Sequence, residues 1–319
     1  MVAVDSSGQM YKQCTACKQT LFGDHLRIDG REYHFACFTC AECGKVITDR
    51  YITDFSDYFH KICFQKRFEP PCMACGQSIS CDSYKDYWGG RYCVHHVNEI
   101  PACDFCGRLV AGLITGKGVR YPDGRVLCGV CRPSAVTTES GAKALMLEVA
   151  AKLRSIDVSV DCKQVTVLLL GRDQLARLMN DSAHPKLGLT EYIPIPNDGG
   201  DVKTQSFNIM LLFGMPTTQA KAVLAHELMH VWLFDHGIVD IDAALREGSC
   251  NYAAYWYMDS LGSAESNFVK RAIISNLDPV YGRGFRDVKQ YVDTNGTAAW
   301  LQMLREMASP GVLAIQSAK

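Results

Sequence analysis

The sequence predicts a multidomain chain in which small cysteine-built modules precede a larger α+β domain, and three observations carry that prediction. Of the 16 cysteines, 14 fall before residue 132 and only Cys162 and Cys250 follow. The early cysteines recur in Cys-x2-Cys pairs, whereas beyond residue 140 the apolar spacing of helices and buried strands takes over. At 319 residues and 48% hydrophobic content, the chain can hold two or three domains and at least one substantial core.

Charge and termini narrow the class further. A formal charge of −1, from 33 basic and 34 acidic side chains, gives no pull toward nucleic acid or an anionic membrane. The opening MVAVDSSGQM has no basic stretch ahead of an apolar one, and nowhere do about 18 apolar residues run together. A soluble, cytoplasmic protein with neither nucleic-acid nor membrane partners is expected. In such a chain, clustered Cys-x2-Cys pairs point to metal binding rather than disulfides.

The first cysteine block runs Cys14-x2-Cys17, sixteen residues, His34-x2-Cys37, two residues, Cys40-x2-Cys43, sixteen residues, His60-x2-Cys63. Three thiolates and one imidazole fill a closed tetrahedral zinc shell, so these eight ligands hold two ions. Phe35 and Phe38 flank the joint between the fingers and are expected to form its small core. The second block repeats the theme with Cys72-x2-Cys75, seventeen residues, Cys93-x2-His96, six residues, Cys103-x2-Cys106, twenty-one residues, Cys128-x2-Cys131. His96 is preferred over His95 because only His96 keeps the x2 spacing to Cys93. The first block resembles a LIM domain, whose two fingers stand two residues apart, as Cys37 and Cys40 do. The second, with six residues between fingers, is LIM-like. The expected boundaries are 1–68 for the LIM domain, 69–133 for the LIM-like domain and 134–140 for a small, polar linker. Cys81, Cys162 and Cys250 are left over and read as free thiols. Fingers this small bury too little apolar surface to fold alone, so about four structural zinc ions should be part of their folding energy. With no Lys/Arg run to follow a phosphate backbone, the fingers are expected to contact protein or serve as a rigid platform.

Residues 141–319 form the expected α+β domain. AKALMLEVAAKLRSI is helical, with Leu145, Leu147, Val149 and Leu153 near one face, and QVTVLLL (164–170) reads as a buried strand. Asp173 starts a short helix; EYIPI and SFNIMLLF (206–213) are strands, the latter the candidate for binding substrate backbone. Pro216-Thr217-Thr218 opens the helix carrying AHELMHVWLFDH (225–236). His226 and His230, four residues apart, lie about 40° apart around the axis and one turn apart along it, so both imidazoles project to one side. Glu227 beside them is placed to act as a general base. Leu224, Ala225, Leu228, Val231 and Trp232 make this a core helix, in which unpartnered His and Glu would be costly and a metal is the natural partner.

Two residues compete for the third ligand. His236 has the ten-residue spacing from His226 found in metzincins, but Leu233 occupies the place of their glycine and favours continuing the helix. That would carry His236 about 9 Å along the axis past His230, leaving it to cap the helix before Gly237. Glu247, twenty residues after Glu227 and on a helix that Asp240 or Asp242 can start, would complete a His2Glu shell and is favoured. Asn251, one turn further, is the expected outer partner of a ligand histidine. Tyr252, Tyr281 and His184 are candidates to stabilise an oxyanion.

The order of a LIM domain, a LIM-like module and a half bearing AHELMHVWL, Glu247-Gly-Ser-Cys and DPVYGRGF (278–285) resembles the DA-type LIM-domain peptidases of plant growth control. The resemblance covers nearly the whole chain. It implies a zincin-like, gluzincin-type metallopeptidase domain with one catalytic zinc on His226, His230 and Glu247, Glu227 as base, and protein substrates. It also implies activity linked to ubiquitin or ubiquitinated partners. Plant members carry ubiquitin-interacting helices ahead of the LIM domain, whereas thirteen residues precede Cys14, so a trimmed or differently regulated relative is expected. The expected function is zinc-dependent endopeptidase; the alternative is a non-enzymatic LIM adaptor whose C-terminal domain is an inactive scaffold.

Overall fold

The computed structural model describes residues 2–4, 10–68, 71–79, 82–111, 115–116, 118–179, 187–196 and 202–308. The chain divides into two compact units, Met1–Pro101 with Ala111–Ile114, and Ala102–Val110 with Thr115–Lys319.

The first unit is built of short antiparallel hairpins, Leu26–Ile28 with Arg31–Tyr33, Tyr51–Asp54 with Asp57–His60, and Ser83–Lys85 with Arg91–Cys93. The second and third hairpins run into the helices Lys61–Phe68 and Val94–Glu99. Each Cys-x2-Cys pair turns on the residue that follows it. Lys18, Gly44 and Gly76 have φ of 63°, 69° and 74°, and their N–H groups donate back to the carbonyls of Cys14, Cys40 and Cys72. Glycine suits this left-handed position, and Lys18 occupies it as the exception. The core of the first module gathers Leu21, Tyr33, Phe38, Ile47, Tyr58 and Phe59 around Cys14 and Cys40. Phe38 is 2% exposed, but Phe35 is 55% exposed, which corrects the expectation that both would be core. The short turn Phe35–Cys37 puts the two rings on different sides of the chain.

In the second unit, the mixed helix and sheet domain begins with α1 (Glu139–Leu153), capped by the Thr138 side chain. Its buried face is Ala142, Met146, Val149, Ala150 and Leu153, so Val149 and Leu153 lie on the expected face, whereas Leu147 is exposed and Leu145 only half-buried. Then come β1 (Val165–Leu170), α2 (Arg172–Met179), β2 (Gly188–Pro196) and β3 (Val202–Leu212). The sheet order is β1-β3-β2, with β1 parallel and β2 antiparallel to β3. A central β3 explains its apolar run Ile209–Leu212, all four of which are buried, as is Phe207 on the other side of Asn208.

Helix α3 (Thr217–Asp235) packs against α1, β2 and α4 (Ala243–Leu261). Asp242 caps α4 by accepting from the N–H groups of Ala244 and Leu245. The helices α5 (Ala264–Ile274), α6 (Gly284–Asn295) and α7 (Thr297–Glu306) complete the domain. Between α5 and α6 a short π-helical turn, Pro279–Arg283, is capped by Asp278. No helix among the described residues is long and apolar enough to cross a membrane.

The finger formed by Cys103, Cys106, Cys128 and Cys131 belongs to this second unit. Its hairpin carries Arg125, 2% exposed, which pairs with Asp123 at 2.7 Å and donates through Nη1 to the Phe213 carbonyl just past β3. Asp123 also accepts from the N–H of Arg172 at the start of α2, and the Arg172 guanidinium pairs with Asp104 at 3.1 Å. Residues 134–138 continue the attachment. Val136 N–H donates to Met215 O, and the Thr217 hydroxyl at the start of α3 donates to Ser134 O.

Candidate functional site

Helix α3 is buried on almost every side, from Ala220 to Leu233, and only the stripe bearing His226 and His230 borders a cavity of about 780 Å³. Each of the buried Leu and Val side chains contributes roughly 1.5–3 kcal/mol, which fixes the helix and therefore the direction of the two imidazoles. From α4, Glu247 Oε2 reaches 3.3 Å from His226 Nε2 and 3.4 Å from His230 Nε2. Zinc bonds of about 2.1 Å at tetrahedral angles separate neighbouring ligand atoms by about 3.4 Å, so the donor set fits that ion.

Asn251, one turn along α4, orients the first histidine. Its Oδ1 lies 3.0 Å from His226 Nδ1, and its Nδ2 donates to Tyr281 O at 3.0 Å. With Nδ1 engaged there, Nε2 is the nitrogen turned toward Glu247. Electrostatics agree with the geometry. Burial opposes the charge on both His226 and Glu247, but their mutual contact outweighs it, raising the imidazole above its ordinary value and holding the carboxyl well below its own.

The remaining predicted residues fall in different places. Glu227 is 5% exposed and lines the cavity, with Oε2 accepting from the Thr190 hydroxyl at 2.8 Å. Tyr281 lines it from the turn after α5. Tyr252 does not, being buried edge-on against Trp300 with centroids 5.0 Å apart. His184 lies outside the described residues, as does Cys81. His236 sits at the end of α3, stacked on Trp232 at 4.2 Å, with Nδ1 2.8 Å from the Trp232 carbonyl. The strand beside the cavity is β2, through Gly188, Leu189 and Thr190, which corrects the assignment of that position to SFNIMLLF in β3.

Cys250 is the residue that sequence reasoning set aside. Fully buried on α4, its sulfur lies within 4.8 Å of ligand atoms of His226 and His230. Burial, followed by the charges of Glu247 and Glu227, pushes its thiol well above the ordinary range, so the neutral form is favoured there. Cys162 is half-buried and donates to the Val160 carbonyl, away from any such cluster.

The four finger quartets each converge. His34 turns Nδ1 toward Cys17 and Cys37, at 3.4 and 3.8 Å, and Nε2 toward Thr20 O. His60 repeats this with Cys43, Cys63 and Val46 O. His96 Nδ1 lies 3.2 Å from Cys72 Sγ, whereas His95 approaches only the far nitrogen of His96. In the fourth quartet Cys106 and Cys128 sulfurs are 3.6 Å apart, close to the roughly 3.8 Å edge of a zinc–thiolate tetrahedron. Burial opposes ionisation of Cys14, Cys40 and Cys72, but knuckle N–H groups prevail and hold each thiol down to about 6.

Comparison with known proteins follows the same division. Residues 14–68 match the LIM domain family, and residues 201–267 match the DA1-like family, described as Protein DA1. The chain is 28% identical over 287 residues to the LIM domain-containing protein HDR3 of Oryza sativa subsp. japonica, covering 78% of this chain and 57% of that one. It is 25% identical over 361 residues to Protein DA1 and 24% over 367 residues to Protein DA1-related 1, both of Arabidopsis thaliana, each match covering 92% of this chain. It spans 67% and 65% of those two relatives. Fold and clusters thus define a multidomain protein with zinc-binding LIM-like modules ahead of a mixed helix and sheet domain. Joining a LIM domain to a DA1-like domain, the chain matches the DA-type LIM family that its motifs resemble.

Proposed function

We propose that the C-terminal domain is a zincin-like, zinc-dependent endopeptidase acting on proteins, with His226, His230 and Glu247 as ligands and Glu227 as general base. The observation that carries this reading is one carboxylate oxygen of Glu247 lying 3.3 and 3.4 Å from the two histidine nitrogens, in a cavity that Glu227 also lines. Zinc, when bound, would supply the Lewis acidity that lets water attack a peptide carbonyl at neutral pH. Glu227 would take the proton from the attacking water and return it to the leaving nitrogen. Asn251 holds the His226 ring, and Tyr281 is the proposed donor to the developing oxyanion. The edge of β2 away from β3, which no strand among the described residues covers, offers main-chain groups to an extended substrate segment. The LIM module, which carries exposed Phe22, Phe55 and Ile62, and the LIM-like module are proposed to contact protein partners.

The decisive variant is Glu227→Gln in zinc-loaded protein. Zinc content should stay at the wild-type level while cleavage falls by at least about 100-fold, the upper range for removing a general base being roughly 10⁴. Retained cleavage would remove Glu227 from this role, and a wild type that cleaves no protein would leave the adaptor reading. Glu247→Ala should lower bound zinc by one per chain by atomic absorption; His236→Ala should not.

A further inference from the structure

The proposed base is held from outside its own helix. On β2, alternate residues face α3, as the period of two requires. A Cβ at Gly188 would stand 2.5 Å from Val223 Cγ1, 2.8 Å from Glu227 Oε1 and 3.2 Å from Glu227 Cγ; Thr190 bonds the Glu227 side chain; Tyr192 stacks on Phe234 with centroids 5.9 Å apart. Gly188, Thr190 and Tyr192 thus follow α3 from Val223 and Glu227 to Phe234.

We infer that Thr190 is the positioning residue for Glu227, and that Gly188 is glycine because Val223 and the Glu227 carboxylate together occupy the space of its side chain. This rests on reading Glu227 as the base. The Thr190 hydroxyl has two acceptors in reach, Glu227 Oε2 at 2.8 Å and the Glu227 carbonyl at 3.2 Å. A hydroxyl has one proton to donate, and the shorter contact to the charged oxygen takes it. With Oε2 held by Thr190 and Oε1 beside the bare Gly188 backbone, the carboxylate is constrained at both oxygens. One rotamer is selected before substrate arrives, which is what preorganisation of a base requires. The strand on which substrate is proposed to pair therefore also aims the group that would act on it.

The test compares Thr190→Val and Thr190→Ser in the full zinc-loaded chain, with fluorescein-labelled denatured casein as the protein substrate. Valine keeps the β-branched shape and removes the donor; serine keeps the donor. Thr190→Val should lower kcat roughly 10- to 100-fold at unchanged KM and unchanged zinc content, and Thr190→Ser should recover most of that loss. A role confined to holding strand against helix would instead lower the thermal midpoint and leave kcat of the folded enzyme intact. A crystal structure of Thr190→Val provides a readout independent of turnover, in which the Glu227 carboxylate should leave its present position. An unmoved carboxylate, or kcat within about twofold of wild type beside an inactive Glu227→Gln, would overturn the inference. Should Glu227→Gln prove active, the base reading falls, and the Thr190→Val structure still decides whether Thr190 positions the carboxylate.

Discussion

The three fingers of the first unit and the single finger of the second share one device and differ in what it supports. In all four, a Cys-x2-Cys pair is closed by a residue in the left-handed region that bonds back to the first cysteine; Gly107, with φ of 71°, does this for Cys103. The first three, each with one histidine, fold on local hairpins, and the first two share a small aromatic core. The fourth, all cysteine, is bonded through Arg125, Asp123 and Tyr121 to the end of β3 and the start of α2. The difference teaches that four similar metal-binding repeats need not form one cooperative region. A repeat joins whichever neighbour buries its polar and apolar groups.

The largest effect should come from the ligands themselves, because structural zinc contributes on the order of 10 kcal/mol to the folding of such fingers. Cys40→Ser should unfold the second finger and expose residues 38–68 to protease while the melting transition of the second unit stays in place. Cys106→Ser, the same chemical change, should lower that transition and loosen the start of α3. If both variants affect the two units equally, the division drawn here is wrong. Smaller by a factor of two or three, Phe38→Ala should cost the first unit about 3–5 kcal/mol in a urea titration, as expected for a buried aromatic.

Arg125→Ala should destabilise the second unit by about 3 kcal/mol, since it leaves the Asp123 carboxylate without its partner at 11% exposure. An unchanged midpoint in differential scanning calorimetry would mean that the finger is merely apposed to the sheet. The smallest change, under about 0.5 kcal/mol, is expected for Phe35→Ala at the exposed side of the first module's joint.

Much of the candidate site lies within reach of local rules. The four-residue spacing of His226 and His230 sets their shared face through helix geometry alone, and the cap falls on Asp242, one of the two side chains, with Asp240, that the sequence offers for it. Leu233, by continuing α3, carries His236 to the helix end against Trp232. Less legible are the features that depend on which elements are neighbours. The apolar run of β3 marks a buried strand but does not name its neighbours, and only the sheet order shows that β2, not SFNIMLLF, borders the cavity. Tyr252 and Asn251 are consecutive on α4, yet one packs on Trp300 and the other reaches His226. The position of Asn251 one turn after Glu247 is enough to expect its contact with a ligand histidine, whereas the packing of Tyr252 follows only from the surroundings of α4.

By itself, the sequence determined the finger ligand pattern, the order of the modules, the helix carrying His226, Glu227 and His230, and the chemistry those residue types can perform. These follow from covalent spacing and from the repeat of the α-helix, both local. The sequence also favoured Glu247 as the residue that meets both histidines, whereas the tertiary structure alone decided that the fourth finger belongs to the second unit, that Cys250 lies beside those histidines, and that Thr190 reaches Glu227 across from β2. Each of these is a contact between segments far apart in the chain, set by how helices and sheet pack to bury their apolar faces, a global condition that no single stretch of residues encodes.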